Sequence, residues 1–260
     1  MSANIDAGEL LVETHDNILL LRINRPKNRN ALSAHLRRCM VDAVEGAEAD
    51  QGIRAIVLTG TDDFFCAGGD INEFQSVTAS THHDQENSIW KVLAERRKTI
   101  IAAVEGYALG GGLELALMTD IIVAGETVKF AFPEVKLGIL PGAGGTQRFP
   151  RHVGMPRALR YLLTGDRFSA VEAQTMGLIS NLAPAGKALE TALGIARTIA
   201  RHPPLAVEQI RRVVLDGDAL PLPRALEIEA AGLRLLRQTQ DHREGVRAFL
   251  EKRPPHFSGR

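Results

Sequence analysis

The chain has 260 residues, 45% of them apolar and 24% charged, with a formal net charge of zero. That length and balance predict one large, well-buried domain, and they give no electrostatic reason to expect nucleic acid or an anionic membrane as partner. Two cysteines, Cys39 and Cys66, provide no disulfide framework and suit a reducing, cytoplasmic setting.

The amino terminus lacks a basic region followed by an apolar run, so no secretory signal is read there. No apolar stretch approaches the ~20 residues of a membrane helix. From Glu9 to Ile23 two apolar runs flank Asp16-Asn17 and predict a hairpin, ended by Asn24-Arg25-Pro26. Ser33 reads as the N-cap of a helix with apolar positions at Leu36, Met40, Ala43, Val44 and Ala47. Ile53–Thr59 is a buried strand, and this alternation argues for α/β organisation with a mainly parallel sheet.

Phe64 to Asn72 reads as a loop of small residues placed after a strand, where open α/β folds present ligand sites. Cys66 within it has no base beside it and reads as a packed residue. His82-His83 has no third ligand at metal-binding spacing, and the polar stretch from Ser76 to Glu86 reads as a surface loop. The basic groups Arg96-Arg97-Lys98 and Arg211-Arg212 read as solvated helix faces. Ile100–Val104 and Asp120–Ala124 are strands, and Lys129–Phe132 is a short one.

Between those strands lie Gly110, Gly111 and Gly112, directly before the helical pattern Leu113, Ala116, Leu117. Glycine is a poor choice for a regular element, so a run of three implies close backbone approach. The first amides of a helix lack internal partners and suit a carbonyl oxygen that gains charge in a transition state. Glu114 and Glu134 stand in apolar surroundings, each beside glycines, a setting that raises a carboxyl pKa toward the range of proton transfer. Pro141 to Thr146 predicts a turn opening a helix. It is neither a P-loop nor a dinucleotide fingerprint. From Pro156 onward the chain reads as mostly helical.

Several segments together resemble one family. They are Ile23-Asn24-Arg25-Pro26 with Asn30-Ala31-Leu32-Ser33, then FFCAGGDINEF, AAVEGYALGGGLELALMTD, FAFPEVKLGILPGAGGTQRFPR, LTGDRFSAVEAQTMGLI and FLEKRPPHF. Over nearly its full length the chain is similar to the enoyl-CoA hydratase/isomerase, or crotonase, superfamily. The resemblance implies a crotonase-like α/β spiral of ββα repeats over residues 1–195 and a helical oligomerisation region over 196–260. A homotrimer, or a hexamer built as a dimer of trimers, is implied with it. The implied oxyanion hole is the N–H of Gly69 and the N–H of Gly111. Glu114 and Glu134 match the glutamate pair of the hydratase branch, with Glu114 as base toward water and Glu134 as acid toward C2. The N–H of Gly142 matches a donor to that water.

The implied substrate is an acyl-CoA thioester, with no metal and no cofactor beyond its own CoA. The CoA moiety is expected along residues 25–31 and 67–72, at Arg25, Lys27, Ala31, Ala67, Gly69, Asp70, Ile71 and Asn72, and at Lys252 of this or a neighbouring subunit. Two departures stand out: Asn72 where relatives often carry Lys, and Arg97-Lys98-Thr99 where they commonly show Pro-Lys-Pro. Trp90 and Phe74 are candidates for the acyl tunnel, with core packing as the alternative. An isomerase, a hydrolase and a non-catalytic or RNA-associated member are the alternatives in function. Retention of both glutamates favours hydration.

Overall fold

The computed structural model describes residues 5–6, 8–74 and 89–260. The expected hairpin is present. β1 (Ile5–Asp6) pairs antiparallel with β2 (Leu10–His15), which pairs antiparallel with β3 (Ile18–Ile23). α1 (Ala34–Ala49) starts where Ser33 Oγ accepts the Leu36 N–H at 3.0 Å. It buries Leu36, Met40, Val41, Val44 and Ala47, one stripe at helical spacing.

After α1 the chain winds as a spiral. β4 (Ala55–Thr59) is followed by β5 (Phe64–Cys66), α2 (Ile71–Phe74) and α3 (Ile89–Glu95). The next turn is β6 (Thr99–Val104), β7 (Tyr107–Leu109) and α4 (Gly111–Leu117), and then come β8 (Ile121–Gly125) and β9 (Lys129–Ala131). Successive strands alternate between two sheets. β4, β6 and β8 lie side by side, parallel, in a seven-stranded sheet, while β5, β7 and β9 form the parallel part of a four-stranded one. These are the ββα repeats implied by the resemblance. His82-His83 and the whole segment 76–86 fall outside the described residues, as does the side chain of Phe74, whereas Trp90 is half-buried against the core.

The second half is less purely helical than its periodicity predicts. α5 (Gly145–Val153) and α6 (Met155–Thr164) lead to β10 (Phe168–Ser169), which closes the small sheet against β9. After α7 (Ala170–Thr175), β11 (Asn181–Ala183) joins β8 in parallel at the edge of the large sheet. Strands of two and three residues carry no readable alternation; the sheet edge they complete makes them strands. α8 (Ala188–Ala200) crosses residue 195 without a break. It lays Ala188, Ala192 and Ala196 on the sheet face made by Ile18, Leu20, Val57, Ile101 and Val123. α9 (Pro204–Gly217), α10 (Leu222–Leu236) and α11 (Gln240–Glu251) complete the chain.

The basic clusters are not solvated helix faces. Arg96 and Lys98 are 4% and 7% exposed, and both lie beyond the end of α3. Arg211 Nε meets Asp120 Oδ1 at 2.7 Å and its Nη1 donates to the Arg96 carbonyl at 2.6 Å. Arg96 Nη2 stands 2.9 Å from Asp120 Oδ2. Lys98 Nζ donates to the carbonyls of Ala47 and Asp50, closing the end of α1. Asp120, which also accepts the Ile100 N–H at 2.9 Å, thus ties α9 to the interior strands β6 and β8. Only Arg97 and Arg212 behave as expected of surface side chains.

Candidate active site

The three glycines seat α4. Gly110 takes φ 51°, ψ −125°, and donates its N–H to the Ala131 carbonyl at 2.9 Å. A Cβ there would lie 2.6 Å from Glu134 Oε1, so a carboxyl rests on the bare backbone. At Gly112 a Cβ would meet the Cys66 carbonyl at 2.2 Å, because α4 and β5 pack backbone against backbone. Cys66 is fully buried, its thiol pushed up to about 12 by that burial. It is a packed residue, as its sequence setting indicates.

Gly111 faces the loop after β5. A Cβ on Gly111 would stand 3.5 Å from the Gly69 nitrogen, and one on Gly68 would stand 3.4 Å from the Gly111 nitrogen. Neither the Gly69 N–H nor the Gly111 N–H meets a carbonyl acceptor among the described residues. Two adjacent, unspent amide donors form a seat for one oxygen that accumulates negative charge.

The two carboxyls beside this seat are solvated in opposite ways. Glu114, in the first turn of α4, is 3% exposed, and its Oε1 accepts the N–H groups of Ala143 and Gly145, each at 2.7 Å. Burial pushes its pKa up, and the two amides and Arg148 pull it back. Glu134 lies on the 3-10 turn Pro133–Leu137 that follows β9. Its Oε2 is buried with no hydrogen-bond partner among the described residues. Burial first, and then the charge on Glu114, raise its pKa to about 7. Both carboxyls are raised by burial, and the amides of the 143–145 loop oppose that rise at Glu114. Gly142 is exposed on the 141–145 loop that supplies the amides to Glu114.

The segments expected to hold CoA lie together. The Leu32 N–H donates to the Gly68 carbonyl at 2.8 Å and the Ala67 N–H to the Arg29 carbonyl at 3.1 Å. Arg25 braces them: its Nε meets Glu9 at 2.8 Å, its Nη2 meets Asp70 at 3.1 Å, and its Nη1 donates to the Ala31 carbonyl. The charges of Arg25 and Asp70 are therefore committed within the protein. Lys27 and Ile71 are exposed, and Ala31 and Ala67 are half-buried. The side chain of Asn72 falls outside the described residues. Lys252 is exposed at the end of α11, and no hydrogen bond or ion pair joins it to the other residues of this group among those described.

Sequence reasoning missed the amides of Ala143 and Gly145, the brace formed by Glu9 with Arg25, and Arg148. The glycines of the 141–145 loop were the one available signal. They indicated a turn, not a turn folded onto a carboxylate.

The family model described as enoyl-CoA hydratase/isomerase matches residues 13–260. The chain belongs to that family. It is 44% identical over 254 residues to the 2,3-dehydroadipyl-CoA hydratase of Escherichia coli (strain K12), covering 97% of this chain and 100% of that protein. It is 40% identical over 239 residues to a mitochondrial enoyl-CoA hydratase of Pongo abelii, covering 92% of this chain and 82% of that one. The crystal structure of enoyl-CoA hydratase EchA1 from Mycobacterium marinum superposes with a TM-score of 0.90 at 38% identity, over 97% of this chain and 99% of the other. The crotonase-like fold and an enzyme of the hydratase branch, expected from the resemblance, are both upheld. Among the described residues no helix is long and apolar enough to cross a membrane.

Proposed function

We propose that this enzyme adds water across the double bond of a trans-2-enoyl-CoA to give a 3-hydroxyacyl-CoA. The observation that carries the reading is the unequal pair: Glu114 Oε1 held by two amides of the 143–145 loop, Glu134 Oε2 buried without a hydrogen-bond partner among the described residues. The thioester oxygen sits between the N–H groups of Gly69 and Gly111. Glu114, ionised, takes a proton from water as its oxygen bonds to C3. The π electrons move onto the thioester oxygen as an enolate, and the two amides hold that charge. Glu134, protonated, delivers its proton to C2 from the same side. The cycle closes when the glutamates regain their starting protonation through solvent. The Gly142 N–H helps to place the water. The reaction needs neither metal nor redox cofactor, because CoA arrives with the substrate.

CoA lies along the joined segments 25–31 and 67–72, with Lys27 and Lys252 as its exposed cations. Arg25 acts there by shaping the loop that bears Gly69. Apolar side chains left open on the last helices, among them Ile210, Val214, Leu222 and Phe249, support a trimer or hexamer. We place the enzyme in the cytoplasm.

The test is a panel of thioesters: crotonyl-CoA, longer 2-enoyl-CoAs, 2,3-dehydroadipyl-CoA and a 3-enoyl-CoA. Hydration of the 2-enoyl substrates is expected, and turnover of the 3-enoyl compound alone would favour isomerisation. The dehydroadipyl arm asks whether a distal carboxylate is preferred, as the name of the Escherichia coli relative suggests. Glu114→Gln is expected to lose roughly 10²–10⁴-fold in kcat with KM little changed. Hydration by that variant at near the original rate would remove Glu114 from the mechanism.

A further inference from the structure

We propose that Arg148 is a positioning residue for the base: its guanidinium clamps the 143–145 loop and sets a fixed positive charge behind Glu114. The rate arm of this inference rests on the hydratase reading; the geometry does not.

Arg148 belongs to the first turn of α5, where its N–H donates to the Gly144 carbonyl at 2.8 Å. The side chain then folds back over the loop it has just left. Nη1 donates to the Ala143 carbonyl at 3.3 Å. It also lies 1.9 Å from the place a Cβ on Gly144 would take, so the guanidinium rests on bare backbone. The peptide unit it covers, Ala143–Gly144, lies between the two whose N–H groups, from Ala143 and Gly145, both reach Glu114 Oε1. One cation therefore holds the carbonyl side of a loop whose amide side holds the catalytic carboxylate.

Electrostatics add a second reason. Arg148 is half-buried and is paired with no carboxylate among the described residues. Its charge and that of Glu114 act on each other, and Arg151, one turn along α5, opposes it. The other titratable group coupled to Glu114 is Glu134, from the 3-10 turn. Tyr107, on β7, is engaged with Phe64 in a ring stack at 5.2 Å. Arg148 is thus the one cation in this group acting on Glu114. Lysine would supply the charge without the planar fork, and glutamine would supply a donor without the charge.

The test uses the full chain with Arg148→Gln and Arg148→Lys, read in two ways. The first is the pH dependence of crotonyl-CoA hydration. The second is the carboxyl titration of Glu114 in protein labelled with ¹³C-glutamate, its signal assigned by its loss in Glu114→Gln. In Arg148→Gln the acidic limb of kcat and the Glu114 titration are both expected to move upward together. KM is expected to stay within about threefold, because the loss falls on the chemical step. Arg148→Lys should leave limb and titration where they are in the parent enzyme while lowering kcat.

A folded Arg148→Gln with neither limb nor titration displaced overturns the proposal. Should that variant fail to fold, a displaced limb or titration in Arg148→Lys overturns it instead, and an undisplaced one supports it. If the parent enzyme hydrates none of the 2-enoyl-CoA thioesters of the panel but the titration still follows the charge at 148, the inference stands and the hydratase reading falls.

Discussion

Replacing Glu134 by glutamine should make the protein more stable in mild alkali while destroying its activity. In the fold the carboxyl is raised from 4.5 to about 7, by burial first and then by Glu114. Below 4.5 it is protonated in both the folded and unfolded chain, and its contribution is fully present. As pH rises from 4.5 to 7, the unfolded chain releases the proton and the fold retains it, so stability falls. Above 7 both are ionised and the loss is complete. The ceiling on that loss is about 3 kcal/mol, and solvent screening at a half-buried site reduces it to about 1–2 kcal/mol. Glu134→Gln keeps the shape and has no proton to lose. Urea denaturation at pH 4 and pH 8.5 should therefore show nearly equal stabilities at the lower pH and a gain of about 1–2 kcal/mol for the variant at the higher. Hydration should fall by roughly 10²–10⁴-fold. A variant no more stable than its parent at pH 8.5 would refute the claim that this carboxyl is held against its ionised form.

Two further substitutions probe the frame. Gly110→Ala puts a methyl 2.6 Å from Glu134 Oε1, on a backbone at φ 51°. A loss of about 1–3 kcal/mol of stability is expected, with turnover down about 100-fold because the acid is displaced; thermal melts and hydration rates check both. Asp120→Asn removes the one carboxylate shared by Arg96 and Arg211. Arg96 is then left buried without a counter-charge, which costs about 3–5 kcal/mol. A shift below about 1 kcal/mol in a denaturant titration would mean that water reaches Arg96.

The sequence showed the site more clearly than the frame around it. A run of three glycines beside a glutamate is visible because glycine is locally costly, and the structure spends Gly110 and Gly112 on contacts that exclude a side chain. The hairpin about Asp16-Asn17 and the cap at Ser33 were legible for the same reason: short-range geometry determines both. The spiral, however, was expected only through the family resemblance. β5 and β7 have three residues each, too few to show a period, and Phe64–Cys66 reads as loop until β7 is placed beside it. Arg96 and Arg211 look like surface cations because each stands in a cluster of basic residues and the carboxylate that joins them is distant in sequence. Their partner Asp120 lies 91 residues before Arg211. Arg148 was invisible for a related reason. Its role depends on a loop folding back toward a carboxylate on another helix.

The small sheet explains why three separate loops arrive at one place. Its parallel strands align Cys66 with Ala108 and Ala108 with Phe130, a single row across β5, β7 and β9. Three residues beyond that row stand Gly69 on the first strand's loop and Gly111 on the second's, and four beyond it stands Glu134 on the third's. All leave by the carboxyl ends of parallel strands, so they emerge on the same side. An irregularity between Phe64 and Cys66 shifts the register there and turns the first loop toward the second. Each turn of the spiral thus delivers one part of the candidate site: the Gly69 amide, then the Gly111 amide with Glu114 behind it, then Glu134. The spacing between parts follows from strand spacing and is independent of what occupies the cavity. Substitutions away from the row can therefore reshape its surroundings while the row itself stays in place.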